Sequence, residues 1–450
     1  MRRSVWLAIA AAGLLRAQPM TIAQAVETAL RNYPSVQVTQ EQIAAAAAGI
    51  QLARTAYLPR IDANVQVNRA TRNNVFGTLL PQQVIPPLSG PVLGTNNLGT
   101  AWGSAAGFLV TWEPFDFGLR RATVAAAEAA RAQSEASLKR TQYDVAVATA
   151  DAFLTLAAAQ ETVVAARAGV ERGETVARTI RALVTSELRP GADASRADAE
   201  VAAARTQLIQ AEQAVAIARA NVARFTGIDQ VALAAPSLGT LPPEHDAPAF
   251  DATANPVAAE QNAAIEQAKA QLHALERSYF PRFYLQGAAY ARGSGAEISG
   301  RNLGGLNGLA PNIQNYALGF SVNFPVFDFA SLHAREAQQA ATLRAQSARA
   351  RQIATDLKAQ FQTAVAQLQG ARRIAANTPV QVAAARAAAQ QATARYQAGL
   401  GNIDAVAEAQ RMVTQAEIDD ALARLGVWRG LLAVAAAAGD IRPFLAEVGR

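Results

Sequence analysis

The chain has no cysteine. That excludes disulfides, thiolate nucleophiles, thiolate metal ligands and a lipid anchor on an N-terminal cysteine. Histidine is scarce as well: His245, His273 and His333 all lie in the second half, with no ligand spacing between them. There is no G-x-G-x-x-G and no P-loop. No nucleophile, base and orienting group cluster in the sequence, so neither an enzyme nor a bound cofactor or metal is expected. Aromatic residues make up 6% of the chain although hydrophobic residues make up 51%, so much of the apolar content is alanine. Alanine lets helices approach closely but buries little area per side chain, so such a fold gains stability from long seams. The formal charge is +6, yet Lys and Arg are scattered among Glu and Asp. No basic stripe is interleaved with aromatics, which argues against a nucleic-acid partner.

The N-terminus has the three parts of a secretory signal peptide: basic Met1-Arg2-Arg3, an apolar stretch over 5–15, and the small residue Ala17. The expected signal covers 1–17. Beyond it no run of about 20 continuous apolar residues appears, so no helical membrane anchor is expected.

Most of the chain reads as long helix. No proline falls between residues 119 and 188, and Ala, Glu, Gln, Arg and Leu fill most positions there. Tyr143, Val147, Ala150, Leu154 and Ala157 recur at spacings of four and three, a coiled-coil-like seam. A break at Arg189-Pro190-Gly191 leads into a second helical pattern over 192–225. Earlier, Thr21 with Gln24 forms a capping box for a helix ending at Asn32-Tyr33-Pro34, and a further helix runs to Tyr57-Leu58-Pro59-Arg60.

The period then changes from 3.6 to 2. Ile61, Ala63, Val65 and Val67 alternate with Asp62, Asn64, Gln66 and Asn68, giving a strand with an apolar and a polar face. An aperiodic segment over 72–103 follows, and a strand resumes near Ala105 with Phe108, Val110 and Trp112 on one face. The order of elements then repeats. Pro34 and Pro59 answer to Pro256 and Pro281 at a constant offset, and Phe115-Asp116-Phe117-Gly118 answers to Phe327-Asp328-Phe329-Ala330. In the second copy Tyr316, Leu318, Phe320, Val322 and Phe324 alternate with Ala317, Gly319, Ser321 and Asn323. A long helix follows, interrupted at Pro379, and its tip is Gly399-Leu400-Gly401-Asn402. The expected division is a first repeat over 21–226, an irregular connector over 227–254, a second repeat over 255–438, and a tail over 439–450.

Four two-faced strands of about ten residues have the length to cross an outer membrane but cannot close a barrel alone. An open edge in lipid leaves backbone groups unpaired, so assembly is implied, and three chains give an even count of twelve. The polar strand residues Asp62, Asn64, Gln66, Asn68, Ser321 and Asn323 are expected to face a water-filled lumen. Trp112, Phe115, Phe117, Phe327 and Phe329 sit where strand becomes helix and are expected at the membrane interface.

In Thr21-Ile22-Ala23-Gln24-Ala25-Val26, Asn32-Tyr33-Pro34, Tyr57-Leu58-Pro59 and Pro325-Val326-Phe327-Asp328, with the two-fold repeat and the hairpin tips, the sequence resembles the TolC-like outer-membrane efflux proteins. The resemblance covers essentially the whole mature chain. It implies a membrane α+β fold: a homotrimeric twelve-stranded β-barrel in outer-membrane lipid, four strands per chain, continued by a long periplasmic α-helical barrel. It also implies the exit duct of a tripartite drug, metal or polypeptide export system, docked by a periplasmic adaptor and powered by an inner-membrane transporter of RND or ABC type. The docking tips would be 186–191 and 397–402, including Arg189, Pro190, Gly191, Gly399, Gly401 and Asn402. The family's acidic pair at the periplasmic entrance places its first acid on Asp404. Its second falls on Ala407, with Glu408 beside it, so the double acidic ring is not reproduced; Asp193 occupies the matching place after the first tip. The competing reading, an exported coiled-coil scaffold that conducts nothing, leaves the alternating strands unexplained.

Overall fold

The computed structural model describes residues 19–71, 100–228, 232–233, 240–244, 249–297, 301–324 and 328–448. The expected signal peptide, most of the aperiodic segment after the first strand, and Phe327 lie outside the described residues. The elements are β1 (Pro19–Met20), α1 (Ile22–Asn32), α2 (Pro34–Thr55), β2 (Arg60–Thr71), β3 (Thr100–Phe115), α3 (Leu119–Thr185), α4 (Gly191–Thr226) and β4 (Ala232–Leu233). They continue with α5 (Pro256–Arg277), β5 (Arg282–Ser294), β6 (Ile313–Asn323), α6 (Phe329–Gln397), α7 (Ile403–Ala438) and α8 (Arg442–Val448). The chain forms two compact units, one from Met1–Glu41, Glu135–Gln261 and Arg349–Arg450, the other from Gln42–Ser134 and Asn262–Ala348. The repeat divides the chain along its sequence, whereas each unit takes matching pieces from both copies.

The first unit is helical. Its α1 starts with the capping box: Thr21 Oγ1 accepts from the Gln24 N–H, and the Gln24 side chain accepts from the Thr21 N–H. The seam of α3 is buried as its spacing predicts. Ala150, Leu154 and Ala157, flanked by Tyr143 and Val147, pack with Ile22 and Val26 of α1 and with Leu425, Trp428 and Leu432 of α7. Helix α7 is long and apolar enough to cross a membrane by length and composition, but half of its most apolar stretch is buried inside the chain. Here it is a core helix.

Both return helices, α4 and α7, are 36 residues long and end on a glycine with positive φ, Gly227 and Gly439. That left-handed cap satisfies the last carbonyls without the Cβ clash another residue would meet. At Gly439 a Cβ would also lie 2.7 Å from the Asn255 backbone.

Two readings are corrected in this unit. Helix α6 runs through Pro379 without a break. The buried Thr378 Oγ1 reaches back to the Ala375 carbonyl that the missing proline N–H would have used, and also donates to Asp420 at 2.7 Å. The connector is not wholly irregular, since β4 pairs in parallel with β1 and a 3-10 turn spans Ala252–Ala254. Within the tail, α8 places Phe444 edge-on to Trp428, 6.5 Å between ring centres.

The second unit holds an antiparallel sheet in the order β2-β3-β5-β6. Strand β3 begins at Thr100, not near Ala105, and pairs Thr100 to Thr111 with Thr71 to Arg60 of β2. The start was hidden because Ala101, Gly103 and Ala105 carry no alternation. Gly103 has a steric reason: a Cβ there would lie 2.4 Å from Asn68 Oδ1. A bulge between Trp112 and Phe115 ends the regular pairing.

Beyond that bulge the chain turns from strand into helix. Phe117 and Gly118 both take positive φ, 49° and 90°. Asp116 Oδ1 accepts from the Gly118 N–H at 3.1 Å, and Oδ2 accepts from the Arg120 N–H at 2.6 Å and its Nε at 2.9 Å. Arg120 also donates to the Ala56 carbonyl and lies 4.8 Å over the Tyr57 ring, tying the turn to the end of α2. Both side chains of the pair are only 9% exposed. In the second copy Asp328 recurs, but the position of Arg120 is taken by buried Leu332.

Burial pushes the Asp116 carboxyl up, but the Arg120 N–H, its guanidinium and the Gly118 N–H outweigh this and hold it below its ordinary value of 3.8. A depressed carboxyl contributes stability that is present above 3.8 and lost as pH falls through the folded value. Arg120→Leu, which copies the second repeat, should destabilise this unit by about 3–5 kcal/mol, because it strands a buried carboxylate. Asp116→Asn in the Arg120→Leu background should recover part of that loss. Thermal unfolding of the purified variants checks both, and an Arg120→Leu protein as stable as wild type would show that the pair is idle.

Candidate functional site

The strand registers fix which residues share a face, because directly opposed residues in an antiparallel pair point the same way. Ile61 lies opposite Val110, Ala63 opposite Phe108, and Trp112 opposite Leu285. Leu285 in turn opposes Phe320, Gly287 opposes Leu318, and Ala289 opposes Tyr316. One face of all four strands is therefore apolar. It is also open: Val65 is 84% exposed, Leu318 78% and Tyr316 90%.

The other face gathers Asp62, Asn64, Gln66 and Asn68 from β2 with Thr111 from β3, Gln286 from β5, and Ser321 and Asn323 from β6. All six polar strand residues picked from the sequence fall on it. Small residues line its middle, among them Gly107, Ala288, Ala317 and Gly319, while Asp62 pairs with Arg60 at 3.0 Å. Strands β2 and β6 each pair on one side only among the described residues.

The aromatic group at the strand-to-helix end is larger than the sequence suggested. Phe115 and Phe117 touch edge to face at 4.7 Å, and both meet Phe283, which packs on Phe320. Phe117 also meets Phe280 at 5.5 Å, and Phe329 stacks on Tyr279. Trp112 Nε1 donates to the Tyr57 carbonyl at 3.1 Å. Tyr279, Phe280 and Phe283 join this group although the sequence offered no sign of it, because their partner rings lie on other elements.

The two hairpin tips are built alike. Glu187 and Gly399 hold equivalent positions with φ of 58° and 79°. Each is followed by a leucine whose N–H bonds five residues back, Leu188 to Leu183 and Leu400 to Arg395, both at 2.9 Å. Leu188 and Leu400 are exposed at matching places, an apolar feature that sequence reasoning passed over. Pro190 precedes Gly191 at the start of α4, and Asn402 caps α7 by accepting from the Ala405 N–H. Gly401 lies 3.3 Å, measured from a hypothetical Cβ, from the Tyr396 nitrogen, so it is held close against the end of α6.

Polar contacts join the tips. The Arg189 guanidinium lies 4.2 Å over the Tyr396 ring and donates to the Tyr396 carbonyl. Tyr396 OH donates to Asp193 at 2.7 Å, and Arg196 pairs with Asp404 at 2.5 Å. Glu408 pairs with Arg411 at 2.8 Å. Each acid picked for the entrance therefore has a partner within its own chain. Asp193 is the third residue of α4 and Asp404 the second of α7, so the two do not occupy the same helix position. Burial, then the bond to Asp193, pushes the Tyr396 phenol up to about 12.

An open sheet, apolar on one face and polar on the other, joined in sequence to helices of 67 and 69 residues, defines the class: a TolC-type outer-membrane channel fold. The model of the outer membrane efflux protein family matches residues 25–228 and 253–440, and the chain belongs to that family. It is thus an outer-membrane export protein extending into the periplasm. No curated protein matches its sequence. Among solved structures it is similar to the outer-membrane channel OprN, 21% identical over 93% of this chain and 89% of that one, with a TM-score of 0.72. The CmeC outer membrane channel of Campylobacter jejuni is 15% identical over 93% and 85%, at a TM-score of 0.75. CusC is 12% identical over 93% and 92%, at 0.76. At these identities the likeness is one of fold.

The Tyr396–Asp193 bond is testable by a double-mutant cycle. Tyr396→Phe and Asp193→Ala should couple by about 1.5 kcal/mol, as for a hydrogen bond to a charged acceptor. Thermal unfolding of the four proteins measures it, and additive losses would mean that the contact contributes nothing.

Proposed function

We propose that three copies of this chain close a twelve-stranded barrel and together form the exit duct of a tripartite export system. The observation that carries this reading is the two-faced sheet with free edges. Exposed apolar side chains favour lipid on one side, polar ones favour water on the other, and unpaired backbone at β2 and β6 requires neighbours. Asp62, Asn64, Gln66, Asn68, Ser321 and Asn323 then line the lumen. Trp112, Phe115, Phe117, Phe329 and the further rings around Phe283 settle at the periplasmic interface. The duct conducts passively; an inner-membrane transporter supplies the energy and chooses the substrate. A periplasmic adaptor docks at the tips, for which the exposed Leu188 and Leu400 offer apolar contacts beside Arg189, Pro190, Gly191, Gly399, Gly401 and Asn402. Asp404, Asp193 and Glu408 stand near the periplasmic entrance. Family membership leaves a non-conducting scaffold without support.

Adjacent residues of β6 test the assignment of faces. Leu318→Arg should cost about 2–4 kcal/mol if it meets the bilayer midplane, and should deplete trimer from the outer-membrane fraction. Ala317→Arg, one residue away, should assemble normally and lower single-channel conductance. Mass measurement in detergent should give three chains per particle; a monomer, or the reverse behaviour of the two variants, would overturn the reading.

The charge at the entrance gives a second test. Asp404→Asn leaves Arg196 without its partner and makes each chain more positive at the tip by one charge. Cation-over-anion permeability in planar bilayers should fall, most at low salt where screening is weak. Unchanged selectivity would remove Asp404 from the entrance.

A further inference from the structure

A groove of about 550 Å³ is bounded by α3, α4 and α7, with Gly169 and Gly173, one turn apart on α3, in its wall. Gly169 packs against Thr414, whereas a Cβ at Gly173 would meet only Val201. Its apolar part is built from Val176, Ala197, Ile403 and Val406. Glu200, Glu408 and Arg411 also line it. A single guanidinium serves both carboxylates, at 2.8 Å from Glu408 and 3.9 Å from Glu200. The charged lining therefore sums to one negative charge.

We propose that this groove binds an amphipathic organic cation: a primary or secondary ammonium group carried on an apolar body. Its volume falls within the range of small-molecule pockets, roughly 300–1,000 Å³. The apolar body covers Val176, Ala197 and Val406, and the charge sits by Glu200 and Glu408. A ligand seated there touches α3, α4 and α7 at once. It therefore favours the arrangement in which the two hairpins lie together, because binding shifts a population toward the state that offers the contacts. The site depends neither on conduction nor on any partner.

The probe is 4-phenylbutylammonium, titrated calorimetrically into the full-length protein in non-ionic detergent, with 4-phenylbutan-1-ol as its neutral counterpart. The ammonium should bind once per chain and the alcohol about tenfold more weakly, since only the cation gains from the carboxylates. Gly173→Leu should abolish binding by filling the groove. A Cβ at that position meets only Val201, at an ordinary 3.6 Å, so the variant should fold. Glu408→Gln should weaken binding by about fivefold, and Arg411→Ala, which removes the competing cation, should strengthen it by a similar factor. Those opposite signs decide the matter even if the filled variant fails to fold. Equal affinity for amine and alcohol, binding that survives Gly173→Leu, or an Arg411→Ala protein that binds more weakly would overturn the proposal.

Discussion

A sheet edge is a row of unpaired backbone donors and acceptors, and this sheet has two of them. Water would satisfy the edges of β2 and β6 but would leave Val65, Tyr316 and Leu318 exposed on a broad apolar face. Lipid would accept that face but could not satisfy the edges. Only closure with further strands meets both demands. Four strands are too few for the smallest single-chain barrels, which is the physical ground of the proposed trimer. On that proposal the rest of the molecule has to deliver these strands in a register that further strands can extend.

The strand-to-helix turn after β3 is where that delivery is set. A bulge, two residues with positive φ and a carboxylate capping α3 reverse the backbone within a few positions. Asp116 and Arg120 then fasten the turn to the end of α2. The repeat has not kept this device in both copies, since Leu332 stands where Arg120 does. One copy is fastened by a buried ion pair, and the other has a buried leucine at the matching position. A buried pair is often no more stabilising than a packed hydrophobic residue, but it is far less tolerant of losing one partner. The two copies should therefore differ in how they respond to substitution more than in how firmly they hold.

Local chemistry was legible in the sequence wherever one residue's neighbours decide its state. The capping box at Thr21, the seam from Tyr143 to Ala157 and the two faces of β2 and β6 are all periodic or short-range signals, and all stand in the structure. The start of β3 was not legible, because Ala101, Gly103 and Ala105 are small residues that carry no alternation of apolar and polar side chains. Nor was the bond from Tyr396 to Asp193, which joins residues 203 positions apart. Pro379 misled for the opposite reason: a local breaker is overridden by a helix whose packing on both sides fixes its path. Leu188 and Leu400 looked like ordinary apolar residues until the equivalence of Glu187 and Gly399 aligned the tips.

The kinds of contact also differ with position along the chain. At the sheet end the ion pair is buried, where losing a partner is expensive. At the tips the pairs Arg196–Asp404 and Arg411–Glu408 are half exposed or more, where each contributes on the order of 0–1 kcal/mol. Tyr396, buried at the tips, donates to an aspartate that is itself partly exposed. Moving parts are drawn from regions of low local stability. By that measure the strong, intolerant contacts beside the strands mark a fixed part of the chain, and the weak, exchangeable ones at the tips mark a part free to rearrange. The apolar core beneath the tips, from Ile180 and Val201 to Ile403 and Val406, lets the polar contacts exchange without unfolding the hairpins that carry them.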